Sequence, residues 1–334
     1  MIKIIDSHYN SDEKILIIRN TVEKAVHTYR ELKDKYDDIL LIHGRFTDLD
    51  RREKLLKIKS RNPPRIIIAT QILEAGVNLD YDVLITDAAS PSSVVQRVGR
   101  IARSCGNRNG YVYIIKSETF GDGIYNGDLV KRFIETILSV DEKCYTRRIE
   151  WRIPSEKDIN NNKDNKVSFL TILNKAYEDA RINIDSELYT RFRDLAVGAM
   201  LSHKDINDII IKLGGNLLHA SILLPVFTGN DTPKDVQDLI NNSVLISLNY
   251  IFSSNDKKYD KLLKTRDNKI AILVYLCDKE RCIIDEYYVE PTIIRDPSFL
   301  IYGLRRDEKD YKIISPLSLV AKPDAYSKDI GLLA

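Results

Sequence analysis

Residues 90–103 read SPSSVVQRVGRIAR, and the identity of the chain turns on this stretch. Serine is a strong helix N-cap and proline fits the first helical position, so Ser90 and Pro91 predict a helix start. At about 100° per residue, Gln96, Arg100 and Arg103 fall within roughly 60° of one another, with Val94, Val98 and Ile101 gathered opposite. The expectation is a helix with one side in a core and the other presenting an amide and two guanidiniums. Gly99, which has no side chain, leaves that polar face open. Two guanidinium forks side by side match phosphate oxygens bidentately.

Upstream, residues 69–82 (ATQILEAGVNLDYD) leave a buried strand through small and polar residues and reach a glycine where backbone can approach a ligand. The two stretches together resemble motifs V and VI of superfamily-two helicases, the second through the order Q-R-x-G-R-x-x-R. The resemblance implies that Gln96, Arg100 and Arg103 face the γ-phosphate of ATP, with the arginines as fingers. It also implies that Gly76 and Asp80 lie near the nucleotide and that Thr70 and Gln71 touch nucleic-acid backbone. Asn78 stands where motif V often has an aspartate.

Around these motifs, strand and helix patterns alternate. Residues 14–19 (KILIIR) are a short apolar run of buried-strand type. Asn20 then reads as a helix cap with Glu23 at capping-box spacing, and Val22, Ala25, Val26, Tyr29, Leu32 and Tyr36 form the inner stripe. Further strands are expected at 39–42, 65–69, 83–86 and 111–115, with a charged helix from Asp50 to about Ser60. That alternation means an α/β domain with a parallel sheet covered on both faces, and ligands in such sheets sit beyond the carboxyl ends of the strands. Asn20, His43, Thr70, Asp87 and Ala88 all lie just past those ends.

Residues 41–58 (LIHGRFTDLDRREKLLKI) resemble the H-S-R-F-x-x-x-D-R-R-x-x-E segment of the CRISPR-associated type I helicases, the Cas-three family. Residues 17–25 and 85–102 resemble that family too. Gly44 departs from its usual serine, and the acidic position after Arg52 is looser. The resemblance covers residues 14–116. It implies a RecA-like domain, the second lobe of an ATP-driven motor that moves single-stranded DNA 3′ to 5′. Asn20, Thr21, His43, Arg45, Thr70 and Gln71 would be its nucleic-acid contacts, made to phosphate and sugar.

The remainder changes character twice. A Gly-rich loop leads to a helix with Leu129, Val130, Phe133, Ile134, Ile137 and Leu138 on its inner side; residues 147–154 lead out of the domain and 158–166 (DINNNKDNK) form a polar linker. Residues 167–213 are helical in pattern until Gly214-Gly215, and 225–233 read as a loop. β-Branched or aromatic runs at 244–252, 270–277 and 282–289 predict a small β-rich or α+β accessory domain. The expected domains are 1–155, 156–230 and 231–334. Residues 326–333 (YSKDIGLL) resemble the ends of family members.

Composition bounds these expectations. The 334 residues have room for two or three domains; 43% are hydrophobic and 30% charged, as in an ordinary soluble protein. A net charge of +2 requires that any nucleic-acid surface be a local patch. Neither an apolar run of membrane-span length nor a signal-like N-terminus is present, so a cytoplasmic protein without membrane contact is expected. Cys105, Cys144, Cys277 and Cys282 make no zinc pattern; Cys277 and Cys282 could pair across strands, but free thiols are the expectation. No G-x-x-x-x-G-K-[ST] loop, no D-E-x-H or D-E-A-D string and no His-Asp nuclease pair occurs. The chain therefore reads as half a motor, inactive alone. A first RecA-like lobe with the phosphate loop would hold most of the ATP and its Mg²⁺. A CRISPR effector complex and an HD-type nuclease are the further expected partners. Two other readings stay open: the lobe of another superfamily-two helicase acting on RNA or in repair, and a non-catalytic module that docks on nucleic acid or an effector complex.

Overall fold

The computed structural model describes residues 1–74, 76–103, 109–116, 119–139, 169–178, 223–252, 258–277, 282–295 and 313–333. The chain divides into two compact units, Met1–His43 with Lys54–Ile182, and Gly44–Glu53 with Asn183–Ala334.

The first unit is built on five parallel strands: β1 Ile15–Ile18, β2 Ile39–Ile42, β3 Ile66–Ala69, β4 Val83–Asp87 and β5 Tyr111–Ile115, in the order β2-β3-β1-β4-β5. β1 lies in the centre, with Ile15 beside Ile66 on one side and Val83 on the other. β1 and β3 are buried along their whole length, which is why they read as unbroken apolar runs rather than alternating ones. Helices α2 Val22–Leu32, α3 Asp48–Ile58 and α4 Pro91–Val98 stand between the strands. This is the α/β domain with a parallel sheet that the sequence predicts.

Several local expectations need correction. α2 is capped by Thr21, whose Oγ1 accepts from the Lys24 N–H at 3.2 Å, and not by Asn20. A helix α1, Ile2–Asn10, precedes the sheet and was not foreseen; its buried His8 lies 2.8 Å from the Tyr113 hydroxyl. Helix α5, Gly127–Ser139, buries Val130, Phe133 and Ile134, but Leu138 in its last turn is 62% exposed. Helix Phe169–Tyr177 adds Ile172 and Ala176 to the same core. The 147–154 exit, the 158–166 linker, the 155/156 boundary, Gly214-Gly215, most of the 167–213 segment, Cys105 and Cys144 lie outside the described residues.

The second unit holds a mixed sheet in the order β10-β9-β11-β6-β7, with β8 (Thr265–Arg266) on β9. Its strands are β6 Leu223–Phe227, β7 Ser243–Ser247, β9 Lys269–Cys277, β10 Cys282–Val289 and β11 Ile313–Val320. β6 runs through part of the expected 225–233 loop, with Pro225 opposite Leu245. The apolar run 244–252 is not one strand: it is β7 followed by a helix, Leu248–Ile251, a distinction that short apolar runs do not encode. β9 and β10, the expected runs at 270–277 and 282–289, pair antiparallel. Cys282 is disulfide-bonded, which corrects the free-thiol expectation, and the residue directly across from it is Cys277.

Residues 44–53 are part of this second unit. The Leu332 N–H donates to the Arg45 carbonyl at 2.8 Å, and the Thr47 N–H donates to the Tyr326 hydroxyl at 3.2 Å. Tyr326 and Leu332 belong to a small pair, β12 Tyr326–Ser327 and β13 Gly331–Leu332. Among the described residues, no helix is long and apolar enough to cross a membrane.

Candidate functional site

Ser90 caps α4 by accepting the Ser93 N–H at 3.4 Å, and Pro91 opens it, as the sequence requires. The helix stops at Val98 with Gly99 as its C-cap, so Arg100 and Arg103 do not continue the face that carries Gln96. That corrects the shared-face expectation. Beyond Gly99 the chain runs alongside Tyr81: the Tyr81 N–H donates to the Arg100 carbonyl at 3.2 Å, and the Ala102 N–H to the Tyr81 carbonyl at 2.8 Å. The buried Ile101 side chain anchors this crossing.

What the arginines share is the loop after β3. Arg100 donates Nη1 to the Val77 carbonyl at 2.5 Å and Nη2 to the Glu74 carbonyl. Its Nε is buried without a partner. Burial lowers the Arg100 pKa, and the neighbouring Arg103 charge lowers it further. Arg103 is exposed; its guanidinium donates to Asn78 Oδ1 and its main-chain N–H to Asp80 Oδ1, each at 2.8 Å. Gly76, just before Val77 in the same loop, has φ +76, where an L side chain would be strained. Gln96 is exposed on α4. The 90–103 and 69–82 stretches thus meet, with Asn78 as a neutral partner for Arg103 where a carboxylate would make an ion pair.

The residue that sequence reasoning missed is Arg97. It is 0% exposed and is the largest fully buried side chain among the described residues. Nε donates to Glu74 Oε1 at 2.8 Å, Nη1 to Asn20 Oδ1 at 3.2 Å, Thr86 Oγ1 at 2.7 Å and the Asp87 carbonyl at 3.2 Å, and Nη2 to the Tyr125 hydroxyl at 2.8 Å. A signal existed: on the helical wheel Arg97 lies about 60° from Val94, on the apolar side of α4.

The six expected nucleic-acid residues divide. Asn20 is 1% exposed: its amide donates to the Ala88 carbonyl at 2.8 Å and Asp122 Oδ2 at 2.9 Å, and its N–H to Asp87 Oδ2 at 2.8 Å. His43 and Thr70 are buried as well. Thr21 caps α2, and Gln71 donates its amide to the Asn20 carbonyl at 2.9 Å. Arg45, in the second unit, stacks on Tyr250. Thr21, Gln71 and Arg45 are the three with partial exposure. Among the described residues, no three His, Cys, Asp or Glu side chains converge as a metal site.

Residues 11–105 match the family model described as "CRISPR-associated nuclease/helicase Cas3, C-terminal". A CRISPR-associated nuclease/helicase Cas3 from Methanothermobacter thermautotrophicus is 37% identical over 105 residues, 30% of this chain and 12% of that protein. A putative Cas3 nuclease/helicase from Methanocaldococcus jannaschii is 29% identical over 198 residues, 56% of this chain and 24% of that protein. The Cas3 endonuclease/helicase of Escherichia coli is 38% identical over 104 residues, 28% of this chain and 12% of that protein. The chain therefore matches between 12% and 24% of these relatives' own length. A crystal structure of T. fusca Cas3-ATP aligns at 18% identity with a TM-score of 0.48, over 80% of this chain and 34% of that one.

Proposed function

We propose that this chain, whose residues 11–105 match the Cas3 C-terminal family model, supplies the second RecA-like lobe and accessory C-terminal part of an ATP-dependent single-stranded-DNA helicase of CRISPR interference. The observation that carries this is the meeting of Arg100 and Arg103 with the Glu74–Asp80 loop. What suits a triphosphate is that Arg103 exposes its guanidinium and that the partly exposed Arg100 stands on the same loop. Gln96, Arg100 and Arg103 would face the γ-phosphate, with Gly76 and Asp80 near the nucleotide. A first lobe bearing the phosphate loop would hold Mg²⁺ and most of the ATP. Thr21, Arg45 and Gln71 would touch DNA backbone directly, with Asn20, His43 and Thr70 supporting them from inside. A CRISPR effector complex and an HD-type nuclease are the proposed partners, in the cytoplasm.

Phosphate release tests this reading. The chain alone should hydrolyse no ATP, with or without single-stranded DNA, because no residue sequence here makes a phosphate loop. Mixing it with a lobe that carries the phosphate loop should yield DNA-stimulated turnover that Arg103→Ala abolishes. Robust turnover by the repurified chain alone would refute the two-lobe assignment.

A further inference from the structure

We propose that Glu74 is a positioning residue that sets the phosphate-facing Arg100 through the buried Arg97, an inference that rests on the motor reading above. Glu74 is buried in the loop after β3. Its Oε1 accepts from Arg97 Nε at 2.8 Å and lies 2.8 Å from Arg97 Nη2. Its main-chain carbonyl accepts from Arg100 Nη2. One residue therefore holds two arginines of the same string by two different groups.

Arg97 is itself fixed to the ends of three other elements. Asn20 follows β1, Thr86 and Asp87 end β4, and Tyr125 stands just before α5. A planar fork bonded on three sides has no freedom to follow a ligand, so Arg97 acts as a fixed post rather than as a phosphate contact. The Glu74 carboxylate ties the loop to that post. With its side chain anchored, the Glu74 carbonyl has one position available, and Arg100 docks on it. Loss of the Glu74 carboxylate charge would leave Arg100 chemically intact but displaced, and a misplacement of about 1 Å in a reacting constellation costs on the order of 100-fold in rate.

The test is Glu74→Gln, which preserves the shape and one acceptor oxygen. In the motor completed with its phosphate-loop lobe, kcat should fall by about 10- to 100-fold while the KM for ATP stays within about twofold, as for an interaction made in the transition state. In the isolated chain, amide hydrogen exchange should quicken at residues 76–80 while β1 and β3 stay as protected as in the wild type. Arg97→Lys, which keeps the charge but loses the fork, should give the same pattern. The inference is overturned if Glu74→Gln leaves both kcat and loop exchange unchanged, or if β1 and β3 lose protection together with the loop. If the wild-type pair shows no ATP turnover, the motor reading fails by itself, and the exchange data alone then judge the clamp.

Discussion

Arg45 places its guanidinium 3.8 Å above the ring centre of Tyr250 and donates Nη1 to that ring's own hydroxyl at 2.8 Å. The stack fixes the plane of the fork, and the hydroxyl fixes its rotation. A partly exposed guanidinium held this way has less rotamer entropy to lose when it meets a phosphate.

For DNA binding, Tyr250→Phe should weaken affinity by less than about twofold, since the stack survives and only the hydroxyl's hold on rotation is lost. Tyr250→Ala should weaken single-stranded-DNA affinity of the completed motor by roughly two- to fivefold, the worth of an exposed cation–π contact. Arg45→Ala should weaken it across unrelated sequences and flatten its salt dependence by about one phosphate contact. Affinities of the three variants at two salt concentrations check this; an Arg45→Ala motor with wild-type affinity and salt slope would remove Arg45 from the DNA path.

Arg100 and Arg103 should separate when stability and turnover are read side by side. Arg103→Ala removes an exposed side chain, so the thermal midpoint should stay put while turnover of the completed motor falls by about 10³-fold. Arg100→Ala should also lower the midpoint, because the Glu74 and Val77 carbonyls lose their donors, at about 1–3 kcal/mol for a buried group left unpaired. Equal midpoints for the two variants would mean that Arg100 does not brace the loop.

The sheet was legible because β1 and β3 are buried on both faces, and such strands announce themselves as ILII and IIIA. The strand ends were legible for the same reason, since they follow from the strands. The direction of each side chain at that edge was not. Asn20 and His43 stand just past strand ends and yet turn inward, because the bonds that hold Asn20 come from residues as far along the chain as Arg97 and Asp122. The shared face of Gln96, Arg100 and Arg103 failed because the wheel assumes a helix that continues, and Gly99 ends it. In the second unit, residues 44–53 bond to Tyr250 and Tyr326, about 200 or more positions away, a separation that local patterns do not encode.

Asn20 offers a direct discrimination between contact and support. Asn20→Ala deletes the acceptor for Arg97 and the donors to Ala88 and Asp122, all buried or part-buried. The chain should lose about 2–4 kcal/mol of stability, seen as a shift in the urea midpoint. DNA affinity per folded molecule should change by less than about twofold. A large affinity loss at unchanged stability would restore Asn20 as a direct contact.

Tyr326 gives the second unit an alkaline signature. Burial, with help from the hydrogen bond it donates to Asp50, pushes the Tyr326 hydroxyl up to about 12 from its ordinary value of 10.0. The fold therefore favours the protonated phenol. The raised value means that this contribution is fully present below about pH 10, where the unfolded phenol begins to ionise, and is lost as pH rises through the folded value near 12. Tyr326→Phe removes it at every pH and leaves the Thr47 N–H and Asp50 Oδ2 without the hydroxyl. Other tyrosines, the partly buried Tyr113 among them, ionise late too, so the informative quantity is the difference between wild type and variant. Urea midpoints measured at pH 8, 10 and 11.5 should show the wild type ahead by about 1–3 kcal/mol at pH 8, with the lead shrinking at the highest pH. A lead that stays constant over that range would mean the Tyr326 phenol ionises alike in the folded and unfolded chain.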